Sequence, residues 1–163
     1  MRIERRIRRR SDGRFDIRLP THERTLLRSL RGQLEELLGR GDDPALGRLY
    51  PPAYEDDPER QSEYESLVRG DLTAQRRRAL EVVESTLDAD RLDEEQLTAW
   101  LSALNDLRLV LGTKLDVSEE MDMETIADDD PDAQLYAIYY YLGWLEEQVV
   151  EELAAGIDPG GSD

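Results

Sequence analysis

Apolar residues recur at helical spacing in four long segments of the chain, and the segment at 93–115 shows the pattern most clearly. Asp93, with Gln96 three residues later, is the capping-box signature of a helix start. Gly112 is the residue best suited to the left-handed turn that closes a helix. We therefore predict a central helix that ends at Gly112 and places six large side chains on one face: Leu97, Trp100, Leu101, Leu104, Leu107 and Leu111.

The same spacing predicts three further helical segments. The first covers 21–39, and the last covers 131–155. Between the first and the central helix, helical sequence begins at Pro58 and carries a break near Gly70. Short connections between such helices favour antiparallel neighbours, which is typical of a helical bundle.

Residues 3–19 alternate polar and apolar side chains around an Asp-Gly turn, as an antiparallel β-hairpin does. A two-residue loop would mix apolar and charged side chains on both faces. A three-residue loop at 11–13 instead pairs Ile7 with Ile17 on an apolar face. The opposite face then holds three cross-strand pairs: Arg6 with Arg18, Arg8 with Asp16, and Arg10 with Arg14.

The arginines of the hairpin are compatible with three roles. The hairpin can pack on the helices while its arginines meet the acidic body or water, it can dock an acidic protein partner, or it can read DNA as a two-stranded ribbon. Arginines opposite one another are unfavourable unless anions lie near them. The candidate residues for partner or nucleic-acid contacts are Arg6, Arg8, Arg10, Arg14 and Arg18.

The last helix carries aromatic side chains away from its core stripe. Tyr140, Tyr141 and Trp144 are either buried beneath the hairpin or exposed as a contact patch, and an exposed Trp144 would favour a homodimer. The apolar face of each of two helices contains one charged side chain, Arg108 in the central helix and Glu146 in the last helix. Because an unpaired buried charge is costly, we predict that these two side chains form an ion pair.

Charge separates the N-terminal segment from the rest. The chain has 163 residues, 39% of them hydrophobic, which suits one domain with a core, and its formal net charge is −17. Residues 1–20 hold eight arginines against three acids, a balance of +5, so the remainder carries −22. That charge repels nucleic acid and anionic membrane over most of the surface. With no membrane-length apolar run and no secretory leader, we expect a cytoplasmic protein.

No pattern in the chain indicates catalysis, a cofactor or a metal. His22 is the only histidine, and the absence of cysteine excludes disulfides and thiolate chemistry. The acidic stretch 116–132 has nine acids but lacks the alternating oxygen ligands and the glycine of a calcium loop. We predict a protein that is not an enzyme and has neither cofactor nor metal.

Together these patterns predict a mainly α fold: a helical bundle of about five helices with an N-terminal antiparallel β-hairpin. We expect residues 1–156 to form a single domain that includes the hairpin. Residues 157–163, rich in glycine, are expected to form a disordered tail.

Several stretches resemble one actinobacterial family. They are LYPPAYEDDPE at 49–59, LDEEQLTAWLSALNDLRLVLGTKL at 92–115, YYYLGWLEE at 139–147 and THERTLLRSL at 21–30. The family was long catalogued as a domain of unknown function and is now that of the oxidative stress transcriptional regulators, AosR. The resemblance implies a cytoplasmic regulator that affects transcription in oxidative stress.

Two features of this chain narrow what the resemblance implies. Without cysteine, sensing by a thiol switch cannot operate here. The net charge of −17 favours action through protein–protein contacts with the transcription machinery. The alternatives are direct DNA binding by the arginine-rich hairpin, and a structural or adaptor role outside transcription.

Overall fold

The fold is known from a computed structural model, which describes residues 5–41, 43–50, 54, 56–115 and 130–156. The elements follow one another as β1 (Ile7–Arg9), β2 (Phe15–Ile17), α1 (Thr21–Arg40), a short 3₁₀ turn (Pro44–Leu46), α2 (Pro58–Tyr64), α3 (Gly70–Thr86), β3 (Arg91–Leu92), α4 (Glu94–Leu115) and α5 (Ala133–Ala155). The predicted class, a mainly α bundle with an N-terminal hairpin, is confirmed. The proposed tail at 157–163 and most of the acidic stretch lie outside the described residues.

The hairpin has the register that the three-residue loop predicts. Ile7 faces Ile17 across the two strands, and Arg10 donates its backbone N–H to the Arg14 carbonyl at 2.7 Å. Gly13 closes the loop at a φ of 85°, a left-handed conformation that glycine adopts without strain. The loop at 11–13 is therefore confirmed.

The sheet has a third strand that the sequence did not predict. In β3, Leu92 lies opposite Phe15 and Arg91 lies opposite Asp16, both antiparallel to β2. The strand holds only two residues, so it carries no alternation that could reveal it. Its pairing places the start of α4 beside the hairpin.

The start of α4 agrees with its sequence signal, and the end of α4 does not. Asp93 and Gln96 exchange hydrogen bonds of 2.7 and 2.9 Å between side chain and backbone, which confirms the capping box. Gly112 does not end the helix, since α4 continues to Leu115. A Cβ built at Gly112 would lie 3.1 Å from the Tyr139 ring, so this glycine permits close packing of α5 instead.

The break predicted near Gly70 is a π-helical segment, Glu65–Arg69, that joins α2 to α3 without interrupting the helix. The core lies where α3, α4 and α5 meet the inner face of the sheet. Trp100, fully buried, donates its indole N–H to the Thr86 hydroxyl at 2.7 Å. In the described part of the chain, no helix is long and apolar enough to cross a membrane.

Candidate interaction surface

The outer edge of β1 is covered by polar side chains of α5. The Gln148 carbonyl accepts the backbone N–H groups of Arg6 and Ile7 at 2.8 and 3.3 Å, and Glu152 accepts that of Arg9 at 2.6 Å. Unpaired edge groups would otherwise offer a template for another strand. The β1 edge is therefore occupied within the molecule.

A second set of contacts, which we call the latch, joins the hairpin to α1 and α5 through Arg6, Glu23, Tyr141 and Trp144. The guanidinium of Arg6 donates to both carboxylate oxygens of Glu23, at 3.0 and 2.8 Å, and lies 5.3 Å from the centre of the Trp144 ring. The Tyr141 hydroxyl donates to Glu23 at 2.7 Å. A forked pair of this kind fixes both partners in one geometry.

The latch shifts the pKa values of its members. Burial opposes ionisation of Glu23, but the hydrogen bonds from Arg6 and Tyr141 outweigh it and lower the pKa of the carboxyl. Burial and the neighbouring Glu23 carboxylate raise the pKa of Tyr141 far above its ordinary value. Glu23 is thus held ionised and Tyr141 is held protonated.

The face of the sheet that points away from the core is basic and open to solvent. Its arginines other than Arg6 form what we call the arginine face: Arg8, Arg10, Arg14, Arg18 and Arg91. Arg8, Arg14 and Arg18 are exposed. Within the described residues, these three side chains form no ion pair or hydrogen bond.

The centre of the arginine face is internally neutralised. The Asp16 carboxylate lies 3.2 Å from the Arg10 guanidinium and 3.7 Å from that of Arg91. Arg10 also lies 3.4 Å from Asp12 in the loop. The uncompensated charge of the face therefore resides on the three exposed arginines that surround this centre.

A concavity of about 560 Å³ lies between the arginine face, the start of α1 and the turn before β3. Five arginines and two aspartates line it, together with Leu19 and Pro20: Arg6, Arg10, Arg18, Arg24, Arg91, Asp16 and Asp90. Arg24 is anchored there by donating to the carbonyls of Leu19 and Leu87, at 2.8 and 2.7 Å. The lining carries more positive than negative groups in a chain whose formal net charge is −17.

The contact residues predicted from the sequence differ in how far they are engaged within the molecule. Arg6 and Tyr141 are engaged within the latch, and their contact with a partner stays a prediction. Trp144 is half-buried beneath Arg6, and Tyr140 is half-buried with its ring edge-on to Tyr139 at 5.4 Å. The aromatic side chains are thus partly covered, and a homodimer through Trp144 stays a prediction.

Away from the sheet, a central cluster of four ions joins α3, α4 and α5: Arg76, Asp106, Arg108 and Glu146. The Arg108 Nε and a Glu146 carboxylate oxygen, which the sequence paired, lie 3.0 Å apart. Arg76 donates to Asp106, whose side chain is 2% exposed. Burial raises the pKa of Asp106 against the opposing charge of Arg76, and burial likewise raises that of Glu146.

The single histidine of the chain lies beside the latch. His22 is 82% exposed, with its Nε2 3.9 Å from Glu23. Across the residues that the structure describes, no three acidic, histidine or cysteine side chains are grouped to hold a metal ion. The most distinctive surface in the described part of the chain is the arginine face with its concavity.

Sequence reasoning missed several residues of these sites. Glu23 reads as an ordinary first-turn acid, and no local signal identifies it as the acceptor of Arg6. Gln148 had a usable signal, because it lies three residues after Leu145 on the buried stripe of α5. Asp106 had the same signal, three residues after Ala103 on the buried face of α4.

Comparison with known proteins gives one matching family and several similar proteins. A family model described as "Domain of unknown function (DUF2017)" matches residues 4–153. The chain is 28% identical over 185 residues to the oxidative stress regulator AosR of Mycobacterium tuberculosis (strain H37Rv), covering 89% of this chain and 84% of the relative. A putative oxidative stress regulator AosR of Mycobacterium leprae is 29% identical over 133 residues, covering 71% of this chain and 61% of the relative. No solved structure matches the chain.

Proposed function

We propose that this chain, which belongs to the DUF2017 family, is a regulatory protein of the oxidative stress response. The names of its mycobacterial relatives support this role, and the similarity extends over most of both chains. The proposal includes a cytoplasmic location and assigns the chain no catalytic chemistry.

We further propose that the chain acts through contact with a protein of the transcription machinery. The observation that carries this step is the arginine face, a basic and solvent-exposed surface on a chain with a net charge of −17. A charge distribution of this kind steers a partner with a complementary patch and sets the orientation of docking. Since the chain has no cysteine, we assign it an effector role in which no thiol of its own is oxidised.

Direct DNA binding is the second candidate, and the three exposed arginines favour it. Its weakness is electrostatic, because the acidic body repels phosphate beyond the immediate contact. This candidate predicts a complex whose affinity falls steeply with salt and with loss of Arg8, Arg14 or Arg18. A flat gel-shift titration at low salt would exclude it.

The regulatory role can be tested in the source organism. A strain lacking the gene should show an altered transcript response to peroxide, and the wild-type gene should restore it. Complementation with the Arg14→Glu, Arg18→Glu double variant should fail, whereas Arg60→Glu should succeed, because Arg60 is an exposed arginine of α2 away from the sheet. An unchanged response in the deletion strain would contradict the proposed function.

A further inference from the structure

The exposed cations of the arginine face are spread over two strands of the sheet. Arg14 and Arg18 are four residues apart along the β2 chain, which corresponds to about 13 Å at the rise of a strand. Between them, Asp16 is already neutralised by Arg10 and Arg91. An extended ligand with several anionic groups can contact more of these cations at once than a single phosphate or carboxylate can.

The acids within this surface restrict the kind of extended anion that fits. Asp12, Asp16 and Asp90 lie among the arginines, and the side chains of Asp12 and Asp90 are 48% and 93% exposed. Duplex DNA carries charge at every step of its backbone, so some phosphates would lie beside these carboxylates. A peptide avoids that repulsion by placing neutral or basic side chains opposite the aspartates.

We propose that the arginine face and its concavity bind an acidic, extended segment of the partner protein, with carboxylate side chains meeting Arg8, Arg14 and Arg18. This inference rests on the proposed function, because it names the chemistry of the partner at the same surface. The concavity, at about 560 Å³, accommodates several side chains of such a segment, and its lining includes Arg18, Arg24 and Arg91.

The ion pairs between the segment and the arginine face would be exposed to solvent. This exposure limits the affinity that we expect. Exposed pairs contribute little individually and are screened by salt, so we expect weak binding that disappears at high ionic strength. Specificity then comes from the arrangement of opposite charges, since a segment with carboxylates opposite the aspartates is repelled.

The test uses the purified full chain and fluorescence anisotropy with three labelled probes. The probes are a short serine-rich peptide with Glu at every fourth position, which leaves neutral side chains opposite Asp16, the matched peptide with Gln in place of Glu, and a short DNA duplex. We expect binding of the Glu peptide at low salt, weakened about tenfold by combining Arg14→Glu with Arg18→Glu and within about twofold of wild type for Arg60→Glu. Equal binding of the Gln peptide, tighter binding of the duplex, or an unaffected double variant would overturn the inference.

Two further measurements keep the outcome decisive. Should the charge-reversed variant fail to fold by circular dichroism, Arg14→Gln with Arg18→Gln removes the same cations without adding acids, and should bind the Glu peptide more weakly with a shallower salt dependence. A salt dependence equal to wild type would count against the inference. If the deletion strain loses its stress response while the Glu peptide does not bind, the proposed function stands. The inference that an acidic segment binds the arginine face would then be wrong.

Discussion

The latch and the central cluster are both ionic, partly buried and built across three elements, yet they differ in how completely their polar atoms are satisfied. In the latch, both Glu23 oxygens accept hydrogen bonds from Arg6, and one accepts a further bond from Tyr141. In the central cluster, within the described residues, one oxygen of Asp106 and the Nε atoms of Arg76 and Arg108 have no hydrogen-bond partner.

This difference explains why the carboxyl pKa values move in opposite directions. Removal from water raises a carboxyl pKa, and only hydrogen bonds and opposite charge can reverse the effect. In the latch, hydrogen bonds and the charge of Arg6 lower the pKa of Glu23. In the central cluster, burial has the larger effect and raises the pKa values of Asp106 and Glu146. The latch therefore stabilises the folded hairpin as an ion pair, while the central cluster retains a desolvation cost that its ion pairs offset only in part.

Replacing Asp106 with Ala should have the largest effect. It leaves the Arg76 guanidinium largely buried without its carboxylate, and such a loss costs about 3–5 kcal/mol in the free energy of unfolding. The double variant Arg76→Met, Asp106→Leu should recover most of that loss, because an apolar pair carries no desolvation cost. Urea unfolding measures both, and a double variant no more stable than Asp106→Ala would contradict this account of the cluster.

Replacing Glu23 with Ala should have the next largest effect, and a more local one. It removes the acceptor of both Arg6 and Tyr141, so we expect a loss of about 2–3 kcal/mol. Hydrogen exchange should show reduced protection of the hairpin amides while the α3 and α4 amides keep theirs, because the latch joins an edge of the molecule. Tyr141→Phe, which removes one hydrogen bond only, should cost about 1 kcal/mol.

The elements that the sequence predicted are those whose signals are local. The loop at 11–13 and the capping box at Asp93 depend on residues within a few positions of one another, and both are observed. The long helices follow from apolar periodicity. Arg108 and Glu146, predicted as partners because each intrudes on an apolar stripe, lie within ion-pair distance.

What the sequence could not show depends on contacts between distant residues. Glu23 and Tyr141 are 118 positions apart, and only the folded chain brings them to one carboxylate. β3 exists because Arg91 and Leu92 meet β2. The glycine at position 112 leaves room for Tyr139 and Arg48 within a helix that continues to Leu115. The arginine face was predicted as a set of residues, but its division into engaged Arg6 and exposed Arg8, Arg14 and Arg18 required the tertiary structure.

The latch and the central cluster should respond differently to acid. The resulting change in the free energy of unfolding should be smaller than that caused by removing Glu23. The pKa of Glu23 is lowered from 4.5, so its contribution is complete above that pH and is lost as pH falls through the folded-state value. The raised pKa values of Asp106 and Glu146 act in the opposite sense, since their contribution is present in acid and is lost as pH rises through the folded-state values.

The hairpin should therefore loosen in acid before the central helices do. Fluorine NMR of fluorotryptophan-labelled protein would show the Trp144 signal, beside Arg6, change below pH 4.5 while that of Trp100 does not. Glu23→Gln, which is uncharged at every pH, is the matched control and should lack this transition. Coincident changes of both tryptophan signals in the wild type would contradict an independent latch.

The smallest effect is expected for Arg108→Met, and it distinguishes the two pairs of the central cluster. The Arg108 side chain is 37% exposed, against 21% for Arg76, and its Nε lies near Glu146 without hydrogen-bond geometry. Removing Arg108 takes away the charge that lowers the pKa of Glu146, so the pKa of this half-buried carboxyl rises further. We expect a loss of about 1 kcal/mol or less in urea unfolding, with Glu146→Gln as the matched variant. A loss as large as that of Asp106→Ala would mean that the four ions act as one network, since only shared partners make an exposed pair as costly to break as a buried one.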